Sequence, residues 1–132
     1  MNENPFSKIR FSEAKNNIAK LKDVLNSGHL DEFINITESE ALMIHSLMLS
    51  SSPYFILMKP NTLEVIQRIL EYRRETKKPV CFTLDAGSNV HILYPDNIKH
   101  EIQKFIDDEL LKFCKSKMCI HDSLGNGSVK IK

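Results

Sequence analysis

From Phe6 the chain alternates apolar side chains with lysines and asparagines. Ile9 is followed by Ile18, Leu21, Val24 and Leu25, and the spacing of three and four from Ile18 onward predicts an amphipathic helix. It closes at Asn26-Ser27-Gly28, where Gly28 suits a C-terminal cap. Leu30-Asp31-Glu32-Phe33 opens a second helix. Its apolar set, Phe33, Ile34, Ala41, Leu42, Ile44, Leu47 and Met48, runs to Leu49 and is interrupted by a polar turn at Thr37-Glu38-Ser39-Glu40. The short Gly-containing connection makes the two helices an antiparallel pair.

Ser50-Ser51-Ser52-Pro53 ends that helix, and Tyr54-Phe55-Ile56-Leu57-Met58 has the length and aromatic content of a strand. Pro60-Asn61-Thr62 opens a third helix with Asn61 or Thr62 as its cap and Leu63, Ile66, Ile69 and Leu70 on one face. The basic cluster Arg73-Arg74-Glu75-Thr76-Lys77-Lys78 ends it, and positive charge suits a helix C-terminus. Two apolar runs over 80–84 and 90–94 then flank Asp85-Ala86-Gly87-Ser88-Asn89 and predict a hairpin. A fourth helix starts at Pro95-Asp96 and carries Ile98, Ile102, Phe105, Ile106, Leu110 and Phe113 at spacings of three and four. Met118-Cys119-Ile120 and Val129-Lys130-Ile131 are expected as short final strands. Helices and antiparallel strands in this order predict a two-layer α+β domain with one sheet face covered.

A chain of 132 residues with 42% hydrophobic and 27% charged residues is of single-domain size and globular composition. Its net charge of +1 offers no electrostatic footprint for nucleic acid or a membrane surface. The odd cysteine count (Cys81, Cys114, Cys119), with Cys81 inside an apolar strand, fits reduced thiols and a cytoplasmic setting. No apolar run reaches the ~20 residues of a membrane span, and the first ten residues lack the order of a signal peptide. Because Asn2-Glu3-Asn4-Pro5-Phe6 enters a helix almost at once, Met1 is open to being an internal methionine of a longer protein.

Candidate chemistry concentrates at residues 85–89. An apolar strand delivers one carboxylate, Asp85, onto a turn of small residues; Ala86 and Gly87 remove bulk beside it, and Gly87 is free to take positive φ. Asn89 adds an amide at the exit. Taken alone, an Asp-Ala-Gly is commonly a turn whose Asp and Asn only bond the backbone. The histidines, His29, His45, His91, His100 and His121, form no one-turn pair and no Cys-x-x-Cys accompanies them, so no metal site is expected. His45 is notable for interrupting an apolar helix face. Neither a nucleophile elbow nor a phosphate-binding Gly-x-x-x-x-Gly-Lys is present, and Gly125-Asn126-Gly127 has no helix after it. A chain with these features does not hold ATP phosphates by itself.

The stretch 82–90 resembles the Asp-Ala-Gly-Pro-Asn region of diphosphomevalonate decarboxylases, enzymes of the GHMP kinase superfamily. Glu40-Ala41-Leu42-Met43-Ile44-His45, Ser51-Ser52-Pro53, Leu57-Met58-Lys59-Pro60-Asn61-Thr62 and Ile120-His121-Asp122 follow the same order, so the resemblance covers nearly the whole chain. It is similar only to the family's C-terminal half, a ferredoxin-like α+β lobe. The ATP phosphate loop and the substrate-gripping arginine of the N-terminal half have no counterpart.

The resemblance implies a domain of 1–132 forming one lobe of a two-lobed enzyme that converts ATP and 5-diphosphomevalonate to isopentenyl diphosphate. It implies Asp85 as the catalytic carboxylate beside the substrate's tertiary hydroxyl, Ala86 and Gly87 at the substrate, and Asn89 bracing the loop. ATP and magnesium would be bound mainly by the missing N-terminal lobe. Kinase-only relatives tend to lose the aspartate, so Asp85 favours decarboxylation. Ser88 stands where the family usually has proline, which returns an N–H and loosens the loop. The face meeting the other lobe should be apolar, so self-association as a homodimer is expected in isolation. A free-standing ligand- or protein-binding module is the alternative from another class; a phosphomevalonate decarboxylase or related GHMP kinase lobe is the nearer one.

Overall fold

A computed structural model describes residues 4–127. Its first helix, α1 (Ser7–Ser27), ends where expected: Gly28 takes the left-handed conformation (φ 76°) and its N–H bonds the Val24 carbonyl at 2.9 Å. The buried face differs from the apolar stripe of the sequence. Ser7, Arg10, Asn17 and Val24 face inward, while Ile9, Ile18 and Leu25 are exposed. The seam is polar because α2 (Leu30–Leu49) presents Glu40, whose carboxylate accepts from the two terminal guanidinium nitrogens of Arg10 (3.2 and 2.5 Å) and from the Asn17 amide (2.7 Å).

The expected turn at 37–40 does not form, and α2 is continuous through it. Its two glutamates do different work: Glu40 holds α1, and Glu38 reaches the other way to Arg73 in α3 (Pro60–Thr76) through two bonds of 2.6 and 3.0 Å. A polar run inside an apolar helix marks contacts on two sides here, not a break.

The hairpin forms as predicted. β1 (Cys81–Leu84) pairs antiparallel with β2 (Val90–Leu93), Phe82 opposite Ile92 and Leu84 opposite Val90. Alternation places these four on one face, against Val65, Ile66 and Ile69 of α3 and Ile102 and Phe105 of α4 (Lys99–Phe105). Tyr72 stacks on Phe105 with ring centroids 4.1 Å apart, and Lys78 pairs with Glu101 beside them. The fourth helix is not uniform: a 3-10 turn (Asp96–Ile98) precedes α4, and a π-turn (Ile106–Leu110) and a second 3-10 turn (Leu111–Phe113) follow it. The wider π-turn keeps Ile106 and Leu110 in the core while Asp107, Asp108 and Glu109 stay in water.

Two expected strands are absent. Residues 54–58 leave the cis Ser52–Pro53 bond without pairing, with Tyr54 and Ile56 about two-thirds exposed (68% and 66%). Composition alone does not make a strand: the outer edge of β1 is occupied by α2, and residues 54–58 pair with neither strand. Residues 118–120 are likewise unpaired and exposed, and 129–131 lie outside the described residues. The class is α+β, helix-rich, with a two-stranded sheet among the described residues.

Glu38 also accepts the Phe82 N–H at 3.4 Å, so its removal frees a guanidinium and a strand amide together. We expect Glu38→Ala to cost about 2–3 kcal/mol, less than a fully buried pair because Arg73 keeps some solvent, and the core change Phe82→Ala to cost about 3–5 kcal/mol. Urea unfolding followed by circular dichroism reads both; Glu75→Ala, on the exposed end of α3, should be near neutral.

Candidate functional site

Residues 85–89 connect the last paired position of β1 to the first of β2. Such a loop has no ladder to satisfy its carbonyls, so donors must come from elsewhere. Two side chains supply them. The His45 imidazole, 2% exposed, donates through Nε2 to the Asp85 main-chain carbonyl at 2.9 Å. The Thr62 hydroxyl, 3% exposed, donates to the Ser88 carbonyl at 2.8 Å. Thr62 also accepts the Lys59 N–H at 3.1 Å while its own N–H bonds the Lys59 carbonyl at 3.0 Å. One threonine thus closes the first turn of α3 and ties the loop to it.

Held this way, the loop presents Asp85 outward. Its carboxylate is more than half exposed, and Oδ2 lies 3.3 Å from Nε2 of His91, an outward-facing residue of β2. Gly87 lies beside it: a Cβ there would stand 3.5 Å from Asp85 Oδ1, ordinary contact distance. Gly87 is not among the glycines with positive φ, which are Gly28 and Gly127, so neither left-handed freedom nor tight packing requires glycine at this position. Asp85, Ala86, Gly87 and Asn89 are brought together on one loop. Asn89 is exposed, and its side chain makes no hydrogen bond among the described residues; the bracing comes from Thr62 and His45. Neither partner was legible as such, although His45 stood out by interrupting an apolar face and Thr62 by its place at a helix start.

Chemically, the loop offers one accessible carboxylate with an imidazole beside it, able to accept a hydrogen bond from a hydroxyl and to orient it. Among the described residues no three His, Cys, Asp or Glu side chains are grouped to hold a metal ion. To a magnesium ion the loop presents a single carboxylate, so the ligands would have to come chiefly from phosphates or another body. A concavity lined by Tyr72, Glu101, Lys104 and Phe105 contains none of residues 85–89.

The family model of the mevalonate 5-diphosphate decarboxylase C-terminal domain matches residues 3–127. The chain belongs to that family. Among solved structures, it is similar to a mevalonate diphosphate decarboxylase from Legionella pneumophila (27% identity, TM-score 0.76, 83% of this chain and 35% of that one). It is also similar to the enzyme from Staphylococcus aureus (26%, 0.73, 80% and 31%). The Enterococcus faecalis enzyme shares the fold at 20% identity (TM-score 0.75, 83% and 34%). No curated protein sequence matches. The chain spans about a third of the length of these decarboxylases.

Thr62→Val keeps shape but deletes both hydroxyl bonds, and should cost about 1–3 kcal/mol while speeding hydrogen exchange at the Lys59 amide. Burial pushes the Cys81 thiol up to about 11, with Glu38 adding to the effect. Cys81 should therefore resist iodoacetamide at pH 8 while exposed Cys119 is alkylated, as peptide mass spectrometry would show. Since the unfolded thiol ionises first, Cys81 also makes stability fall as pH rises from about 9 toward 11.

Proposed function

We propose that this domain is the C-terminal lobe of a two-lobed diphosphomevalonate decarboxylase and supplies its catalytic carboxylate, Asp85. The observation that carries the reading is the loop: a carboxylate held outward by two buried side-chain donors on its main chain, in a chain of this family. Small residues at 86 and 87 let a substrate approach the backbone, and Asn89 is free to meet it. In the Enterococcus faecalis enzyme, ATP binding is mediated by mevalonate diphosphate, a dependence that fits a cleft closed by two bodies.

In the reaction, the tertiary 3-hydroxyl of 5-diphosphomevalonate attacks the γ-phosphorus of ATP and the bond to the β-phosphate oxygen breaks, releasing ADP. Loss of phosphate and carbon dioxide then yields isopentenyl diphosphate. Asp85 accepts the hydroxyl's hydrogen bond and aims its oxygen at phosphorus; a tertiary alcohol is so weak an acid that orientation outweighs proton removal until late in transfer. His91 stands where it can share the carboxylate's charge or proton. ATP and magnesium enter as co-substrate, held mainly by the N-terminal lobe.

The two-stranded sheet is extended to a ferredoxin-like one in the whole enzyme, the enzyme is cytoplasmic, and exposed Tyr54, Ile56 and Leu63 support burial against the other lobe or, in isolation, a homodimer. No described helix is long and apolar enough to cross a membrane.

The test is turnover by the two-lobed enzyme carrying this domain. Asp85→Asn should lower kcat by several orders of magnitude with the fold intact, and the 132-residue chain alone should release no phosphate from ATP and 5-diphosphomevalonate. An Asp85→Asn enzyme as fast as its parent would make the carboxylate structural, and turnover by the isolated chain would refute the two-lobed reading. Preference for the monophosphate would move the substrate to phosphomevalonate.

A further inference from the structure

We propose that His45 is a positioning residue for the Asp85 carboxylate, acting through the main chain and touching neither substrate nor carboxylate. The proposal rests on the decarboxylase reading for its consequence in catalysis, and on geometry for the rest.

His45 is a polar side chain at a core position. Ala41, Leu47 and Met48 are buried around it on α2, and it is itself 2% exposed. A leucine would fill such a site without the cost of removing an imidazole from water. What the imidazole adds is a donor. Asp85 is the first residue beyond the ladder, its carbonyl has no strand partner, and Nε2 reaches it from 40 residues away in sequence at 2.9 Å. A carbonyl oxygen only accepts, so the proton is on Nε2.

The bond fixes the orientation of the peptide plane after Asp85, which bears on the direction of the Cα–Cβ bond carrying the carboxylate. The Thr62 bond to the Ser88 carbonyl holds the far side of the same loop but leaves the Asp85 peptide free to turn. His91 touches the carboxylate itself yet is more than half exposed, so it does not set the backbone. Among the described residues, His45 alone is both buried and bonded to the Asp85 main chain.

Two variants separate positioning from packing. His45→Leu keeps apolar bulk and loses the donor; His45→Gln keeps an N–H at comparable reach. In the two-lobed enzyme, His45→Leu should lower kcat for 5-diphosphomevalonate by about ten- to a hundredfold, the loss expected from a displaced catalytic group, with KM changed much less. His45→Gln should recover most of it. In the 132-residue chain by itself, nitrogen-15 NMR should show the Nε2–H form for His45. His45→Leu should shift and broaden the amides of 86–89, leaving those of α1 in place, and His45→Gln should restore them.

Equal losses for Leu and Gln, or none for Leu, would overturn the proposal. So would loop amides unmoved by His45→Leu. The NMR arm stands whatever the reaction proves to be. A parent enzyme inert toward 5-diphosphomevalonate with the loop response intact would reject the substrate reading and keep His45 as the loop's anchor; an active parent with no loop response would do the reverse.

Discussion

The site depends on how α2 lies along the outer edge of β1. Glu38, Ala41 and His45 fall on one face of the helix, at i, i+3 and i+7. Glu38 accepts the Phe82 N–H, Ala41 belongs to the core cluster, and His45 donates to the Asp85 carbonyl. Seven helical residues rise about 10.5 Å, and the three strand residues from 82 to 85 span about 10 Å. The match lets one helix face serve a strand amide and a loop carbonyl at once. An alanine between the two polar contacts lets the helix come close.

That arrangement explains why an apolar helix carries charge in its middle. A strand edge left open in a small domain is a place where another chain can add, and here α2 closes it with side chains. Glu38 is oriented by Arg73, which also donates to the Val80 carbonyl at 3.0 Å, so helix, helix and strand entry share one polar knot. The hydrogen bond and charge of Glu38 raise the Arg73 pKa above its ordinary value. Apolar packing of Phe82, Leu84, Val90 and Ile92 against α3 and α4 forms the core; the knot gives the strand its place.

Much of this was legible from periodicity and residue type. Gly28 as a cap, the helix from Pro60, the hairpin around Asp85 and the burial of Cys81 all follow from local rules, because each is decided within a few residues. The misreadings share a cause: they needed to know a neighbour. Glu38 and Glu40 look like a break until Arg73 and Arg10 are placed opposite them. The run at 54–58 has the composition of a strand, yet it pairs with neither strand of the hairpin, and the outer edge of β1 is taken by a helix. In α1 the stripe of Ile9, Ile18 and Leu25 is left outside because α2 meets that helix with Glu40, whose lone pairs demand Arg10 and Asn17. Residues 85–89 could be singled out from the sequence as a candidate site, but the two side chains that hold their loop are 40 and 26 residues away in sequence.

The loop's construction also bears on Ser88. A proline there would restrict the chain by its ring; with serine, φ is freer and order has to be imposed from outside. Thr62 does this at the Ser88 carbonyl itself, and His45 does it three residues earlier. Both donors are buried, where a hydrogen bond faces no competition from water. The carboxylate is different, more than half exposed, and in water its field on a reacting hydroxyl is screened by a dielectric constant of about 80. A rigid backbone under an exposed carboxylate makes physical sense when another surface is to cover it: the cost of ordering is met in the fold, and excluding solvent then strengthens a group already aimed.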